Sequence, residues 1–232
     1  MYKPSLSKEE IEKIRKKHKI VLSKVSEHKK YYRVGRLKLK VYPKAFPPCP
    51  DSILFANFLS KLKNTGKVLD MGTGSGILAL SIAKNASYVL AVDINKDALR
   101  STKENALLNR INNIKFRYSN VFSNIKEKFD TIIFNPPFRF FKPKNLLDKS
   151  MTDHNYKTLS NFFKNVNKHL NKKGKIYIIF SNSGDIKYLE KMINKGGFSF
   201  KILKRVRSNL FGWDTKDFPN YYYIYKIQKK EK

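Results

Sequence analysis

The run Lys67–Gly76, KVLDMGTGSG, constrains the fold more than any other part of the chain. An apolar, strand-forming segment ends in the acid Asp70. Glycines at alternate positions follow (Gly72, Gly74 and Gly76), and then the apolar run ILALSIA. A buried strand that turns through glycines into a helix opens an α/β unit. Glycine permits tight turning and close approach of a ligand, and the helix start presents unpaired N–H groups. A dinucleotide fingerprint would place its third glycine at position 77, where this chain has Ile77. Asp93 ends the next strand, in AVDIN, where a carboxylate can accept both hydroxyls of a ribose. It would equally cap a helix starting near Lys96. Glycine loop and acid together, at the ends of adjacent strands, point to a nucleoside ligand.

Strand and helix patterns alternate downstream. Val68–Met71, Tyr88–Val92, Ile114–Tyr118, Thr131–Phe134, Lys175–Phe180, Phe198–Arg207 and Tyr221–Ile227 read as strands. Ile77–Lys84, Lys96–Asn109, a segment ending at Leu170 and Ile186–Lys195 read as helices. The pattern predicts an α/β, Rossmann-like sheet of seven mostly parallel strands. The last two strands have only a long turn between them, SNLFGWDTKDFPN, so the final strand is expected to be antiparallel.

Residues 1–50 form a basic N-terminal extension. Ser7 and Glu10 have capping-box spacing, and Ile11, Ile14, Val21, Leu22 and Val25 recur at helical intervals over 8–29. The opposite face carries Lys13, Arg15, Lys16, Lys17, Lys19 and Lys24, either as a solvated face or as an arm for phosphates. Arg33–Tyr42 alternates basic and apolar residues, as a strand or hairpin would. Pro43–Pro50 is a rigid connector, because proline removes backbone donors. A helix begins at Asp51, and residues 51–232 make the catalytic domain.

Charge bears on the partner. The formal net charge is +31, with pI ≈ 10.1, which favours polyanions, nucleic acid first. Abundant Lys, Asn and Ile also suit A/T-biased coding, so part of that charge is compositional. Cys49 is the single cysteine and the four histidines are scattered, so neither a disulfide nor a metal centre is expected. No run approaches the ~18 apolar residues of a membrane span, and a cytoplasmic protein is expected.

Asn135-Pro136-Pro137-Phe138 carries the substrate chemistry. The nitrogen of a base amine or a glutamine amide has its lone pair delocalised. Accepting both N–H bonds draws that nitrogen toward tetrahedral geometry. Asn135 offers a side-chain oxygen and Pro136 a carbonyl, while Phe138 offers a face for a planar group.

From Asp51 to Ile227 these motifs resemble the class I S-adenosylmethionine-dependent methyltransferases, in particular the small-domain N-methyltransferases with NPPF or NPPY. The resemblance implies S-adenosyl-L-methionine as cofactor, with Asp70, Gly72, Gly74 and Gly76 around its methionine and ribose. It implies Asp93 on the ribose hydroxyls, and Asn120 at the place where the family often has an acid for the adenine amine. Phe122 would pack on the adenine or belong to the core. Asp51 and Ser52 would touch the methionine end, Asn135 would also contact the cofactor, and Asn135, Pro136 and Phe138 would be catalytic. Basic and aromatic residues interleave after the motif, and Arg139, Phe140 and Lys142 read as substrate contacts at the rim, or as a lid. Family members of this type modify bases in RNA and DNA, or glutamines in release factors. The latter usually carry Tyr in place of Phe138. The expected substrate is therefore the exocyclic amine of adenine or guanine in nucleic acid, rRNA or tRNA first. The alternatives are a protein glutamine N-methyltransferase of the release-factor or ribosomal-protein type, and a catalytically weak RNA-binding module.

Overall fold

The computed structural model describes residues 2–208 and 219–230. The turn expected over 208–220 falls almost wholly outside them. Helix α1 (Lys8–Ser26) starts at the Ser7/Glu10 capping box and precedes a hairpin of β1 (Tyr31–Val34) and β2 (Leu37–Lys40). Helix α2 (Pro50–Leu59) leads into β3 (Lys67–Met71), α3 (Ile77–Ala83), β4 (Tyr88–Asp93), α4 (Lys96–Leu108), β5 (Ile114–Tyr118) and β6 (Phe129–Phe134). A short helix, α5 (Leu146–Lys149), and a single 3-10 turn precede α6 (Lys157–His169), β7 (Leu170–Ser181), α7 (Ile186–Lys195), β8 (Phe198–Arg207) and β9 (Tyr221–Lys229).

Seven strands form one sheet in the order β5-β4-β3-β6-β7-β9-β8, and only β9 runs against the others. The central strands are buried on both faces and so read as continuous apolar runs. Alternation then sorts them. Leu69, Met71, Ile132 and Phe134 face the layer built by α6 and α7, with Phe162 and Leu189. Val68, Ala91 and Ile133 face α2 and α3, with Phe55 and Ala79. Strand β7 begins earlier than expected, at Leu170, because α6 runs directly into it. The surplus residues appear as a register shift against β6 between Phe129 and Thr131.

The N-terminal extension is tied to this sheet along its length. Asn105 of α4 accepts from the Lys40 backbone N–H at 2.7 Å and donates to the carbonyls of Lys40 and Ser75, both at 2.9 Å. One amide thus joins the hairpin, α4 and the glycine loop. The Lys40 ammonium pairs with Glu104 at 2.6 Å. Helix α1 buries Val21 and Val25 against Cys49 and Met151.

The order of strands switches sides between β3 and its parallel neighbour β6, since β4 and β5 lie on one side and β7 on the other. A crevice at the carboxyl ends of such a strand pair is where open α/β sheets bind ligands. The glycine loop leaves β3 there, and Asn135 leaves β6.

Candidate active site

The cavity at this point is lined by the glycine loop, Asp93, Ser119 to Val121, Asn135 to Arg139, the start of α2, and residues of α1 and of the loop around α5. Gly72 and Gly76 have φ of 70° and 82°, the left-handed region that glycine adopts without cost. At Gly76 a Cβ would also lie 2.7 Å from the Thr102 methyl, so this glycine keeps α3 and α4 in close contact. Gly72 and Thr73 donate to the Val92 carbonyl at 2.9 and 3.0 Å, which fastens the loop to the end of β4.

Two carboxylates flank the loop. Asp70 is fully buried, and Thr73 Oγ1 donates to its Oδ2 at 2.7 Å. Its Oδ1 has no partner among the described residues. Burial pushes Asp70 up to about 7, opposed by the Thr73 bond and assisted by the charge of Asp93. Asp93 accepts from Gly74 N–H at 3.0 Å through Oδ2 and from Asn95 N–H at 2.8 Å through Oδ1. Each oxygen keeps a second lone pair for a ligand hydroxyl. Burial raises this carboxyl as well, and the two backbone donors oppose the shift. A buried carboxylate oxygen without a partner among the described residues, a mostly buried acid with open lone pairs and an uncrowded glycine backbone suit a cationic amino acid joined to a nucleoside.

At the other wall, Asn135 Nδ2 donates to Asp51 Oδ2 at 2.6 Å, and Asn135 Oδ1 is buried without a partner among the described residues. Asp51 lies in the first turn of α2, where free N–H groups and the helix dipole favour an anion. Burial still raises its carboxyl, against the Asn135 bond. The Phe138 ring is half-buried, edge-on to Phe180 at 5.4 Å, and its carbonyl accepts from Tyr156 Oη at 2.6 Å. Tyr156 Oη in turn accepts from Asp185 N–H at 2.7 Å. The loop after Asn135 is therefore held by the start of α7.

Gly72, Gly74, Asp93, Asn120, Asn135, Pro136 and Phe138 line this crevice, with Asn120 exposed at its lip, whereas Asp70 and Gly76 flank the loop without lining the cavity. Phe122 does not line it. That ring stacks on His169 at 4.5 Å and on Phe162 at 5.5 Å, inside the core. The rim expected from Arg139, Phe140 and Lys142 divides in the same way. Arg139 is 5% exposed and Phe140 8%, so neither can meet a phosphate or stack a base at the surface. Lys142 alone of the three is exposed. The reason is that the segment turns inward after Phe138. The Arg139 carbonyl accepts from Asp153 N–H at 2.7 Å, and the guanidinium is buried, its Nε unpartnered among the described residues.

Helix α1 contributes what a periodicity argument missed. Lys17, placed by spacing on the wet face, is 4% exposed and lines the cavity with Val21. His18 Nε2 lies 3.1 Å from Asp148 Oδ1, which ties α1 to the loop after the NPPF motif. A long basic side chain and a histidine inside an amphipathic helix give no sequence signal until the partner loop is known.

Residues 50–196 match the methyltransferase small domain family. A Methanocaldococcus jannaschii protein whose name assigns it protein N5-glutamine methyltransferase activity is 33% identical over 178 residues, 74% of this chain and 89% of that protein. The release factor glutamine methyltransferase of Buchnera aphidicola subsp. Schizaphis graminum is 42% identical over 119 residues, half of this chain and 43% of the relative. Among solved structures, the T. thermophilus 16S rRNA N2 G1207 methyltransferase, determined with AdoMet and guanosine, aligns with a TM-score of 0.63 at 19% identity, over 86% of this chain and 50% of that one. The E. cuniculi Mtq2–Trm112 complex, responsible for methylation of the eRF1 translation termination factor, aligns with a TM-score of 0.59 at 20% identity, over 81% of this chain and 99% of the other. At those identities the solved structures speak for the fold. The sequence matches and the crevice agree, and the chain belongs to the methyltransferase small domain family as a methyltransferase that uses S-adenosyl-L-methionine.

Proposed function

We propose that this enzyme methylates the side-chain amide nitrogen of a glutamine in a protein substrate. The observation that carries the reading is the acceptor Asn135 Oδ1, unpartnered among the described residues, in the wall opposite the glycine loop. Asn135 Oδ1 and the Pro136 carbonyl would accept the two amide N–H bonds, which localises the nitrogen lone pair. The Phe138 ring, fixed by Phe180, would limit how the planar amide lies. On the cofactor side, Asp93 would hold ribose hydroxyls, Asp70 would face the methionine end, and Asn120 would lie near the adenine. Bound there, the cofactor supplies a sulfonium-activated methyl group as electrophile. The amide nitrogen would form its bond to the methyl carbon as the methyl–sulfur bond breaks, the electron pair staying on sulfur as a neutral thioether, and would lose one proton to solvent, so no strong base is needed.

Protein is preferred over nucleic acid because the sequence relatives, at 33–42% identity, bear names of enzymes acting on glutamine in proteins. Phe138 in place of Tyr does not outweigh them, since either ring presents the same apolar face. A base amine in RNA remains the second reading, favoured by the net charge of +31. Tritium transfer from labelled S-adenosylmethionine into extracts of cells lacking the gene separates the two. Label is expected in protein, released as N5-methylglutamine on digestion. Label removed by ribonuclease would select the RNA reading instead.

A further inference from the structure

Asn135 offers an acceptor to the substrate only while its amide is turned one way. Flipped, it would present two N–H groups to a nitrogen that already carries hydrogens. Its only side-chain hydrogen bond among the described residues is the 2.6 Å contact from Nδ2 to Asp51 Oδ2. Asp51 is 6% exposed and fixed in the first turn of α2, immediately after Pro50. An ionised carboxylate only accepts, so it selects the NH2 end of the amide and leaves Oδ1 for the cavity. Burial raises the Asp51 carboxyl, and the Asn135 bond, the backbone N–H groups of the helix start and the charge of the buried Arg139 oppose that shift and favour the carboxylate.

We propose that Asp51 is a positioning residue for methyl transfer, the acceptor-only group that locks the Asn135 amide with its oxygen toward the substrate nitrogen. The proposal rests on the reading of Asn135 given above and holds whether that nitrogen belongs to a glutamine or to a base. It differs from a contact with the methionine end of the cofactor. A cofactor contact acts on affinity and is overcome by saturation, whereas the lock acts on the rate at saturation.

The test is a reciprocal exchange, comparing Asp51→Asn, Asn135→Asp and the double variant. In Asp51→Asn two amides face each other and neither orientation is selected. In Asn135→Asp two carboxyls about a hydrogen bond apart cannot both ionise, and one keeps a proton. In the double variant Asn at 51 donates to the carboxylate at 135, whose second oxygen still faces the cavity as an acceptor. Initial rates of tritium transfer into total protein and total RNA would be measured at saturating S-adenosylmethionine. Calorimetry would give the affinity of the same proteins for S-adenosylhomocysteine, which also reports that each variant is folded. Each single variant is expected to lose about 30-fold or more in rate, in the range of losing one preorganised polar contact, and the double variant to return to within about 5-fold of wild type. The S-adenosylhomocysteine dissociation constant should change less than about 3-fold throughout, because the lock acts only on the substrate side. A double variant no faster than the slower single variant would overturn the proposal. So would Asp51→Asn reaching the wild-type rate once cofactor saturates. Should the wild type label RNA, the glutamine reading falls while the ranking of variants still decides the role of Asp51.

Discussion

Asp93 shows how one side chain serves the free and the bound protein. Its oxygens already hold Gly74 and Asn95 N–H groups, so it shapes the loop before any ligand arrives. Asp93→Ala should therefore weaken S-adenosylhomocysteine binding by ~1–3 kcal/mol, the scale of lost charge-assisted bonds, as calorimetry would measure. Asn135→Ala should leave that affinity nearly intact and cut turnover strongly. Equal losses of affinity and turnover in Asn135→Ala would contradict its assignment to the substrate side. At this scale the motif acids and glycines were legible because their chemistry is local. Asp51 was legible only as a helix start or a cofactor contact, since its bond to Asn135 spans 84 positions.

Helix α1 is the element whose role the chain order conceals. It lies N-terminal to the segment that matches the family, yet Lys17 and Val21 line the cavity and His18 fastens the helix to Asp148. Burial, aided by the positive charge of Arg139, holds His18 down at about 4 from an ordinary 6.5, and Asp148 opposes the shift. The folded protein therefore keeps His18 neutral while the unfolded chain protonates it. Its contribution is complete above about 6.5 and is lost as pH falls toward about 4. Asp70, raised to about 7 by burial, works in the opposite sense over part of the same window. The informative quantity is thus a difference. The melting-temperature gap between wild type and His18→Gln should narrow as pH is lowered from 7 to about 4.5. A gap that stays constant with pH would show that His18 does not titrate in this way.

For the whole molecule, a net charge of +31 sets a background of self-repulsion over a body tied together by apolar layers. Screening should relieve it, because the Debye length shrinks from about 30 Å at 0.01 M to about 8 Å at 0.15 M. The melting temperature is expected to rise over that salt range, and a fall would mean that attractive surface pairs dominate instead. The seven strands, their mostly parallel sense and the antiparallel last strand follow from the sequence alone, while their order across the sheet is read from the tertiary structure. Strand and helix periodicities are local, and right-handed crossovers leave few ways to arrange them. The glycine loop, Asp93 and NPPF likewise carried the cofactor class, since each is a short run whose spacing is itself the chemistry. Tertiary structure alone decided which polar residues face inward. Arg139 and Phe140, basic and aromatic in sequence, are buried because the chain turns in after Phe138 and pairs with Thr152. Lys17 is drawn into the cavity wall because α1 packs across the crevice. Burial of a charged side chain depends on partners distant in sequence, and no local pattern encodes them.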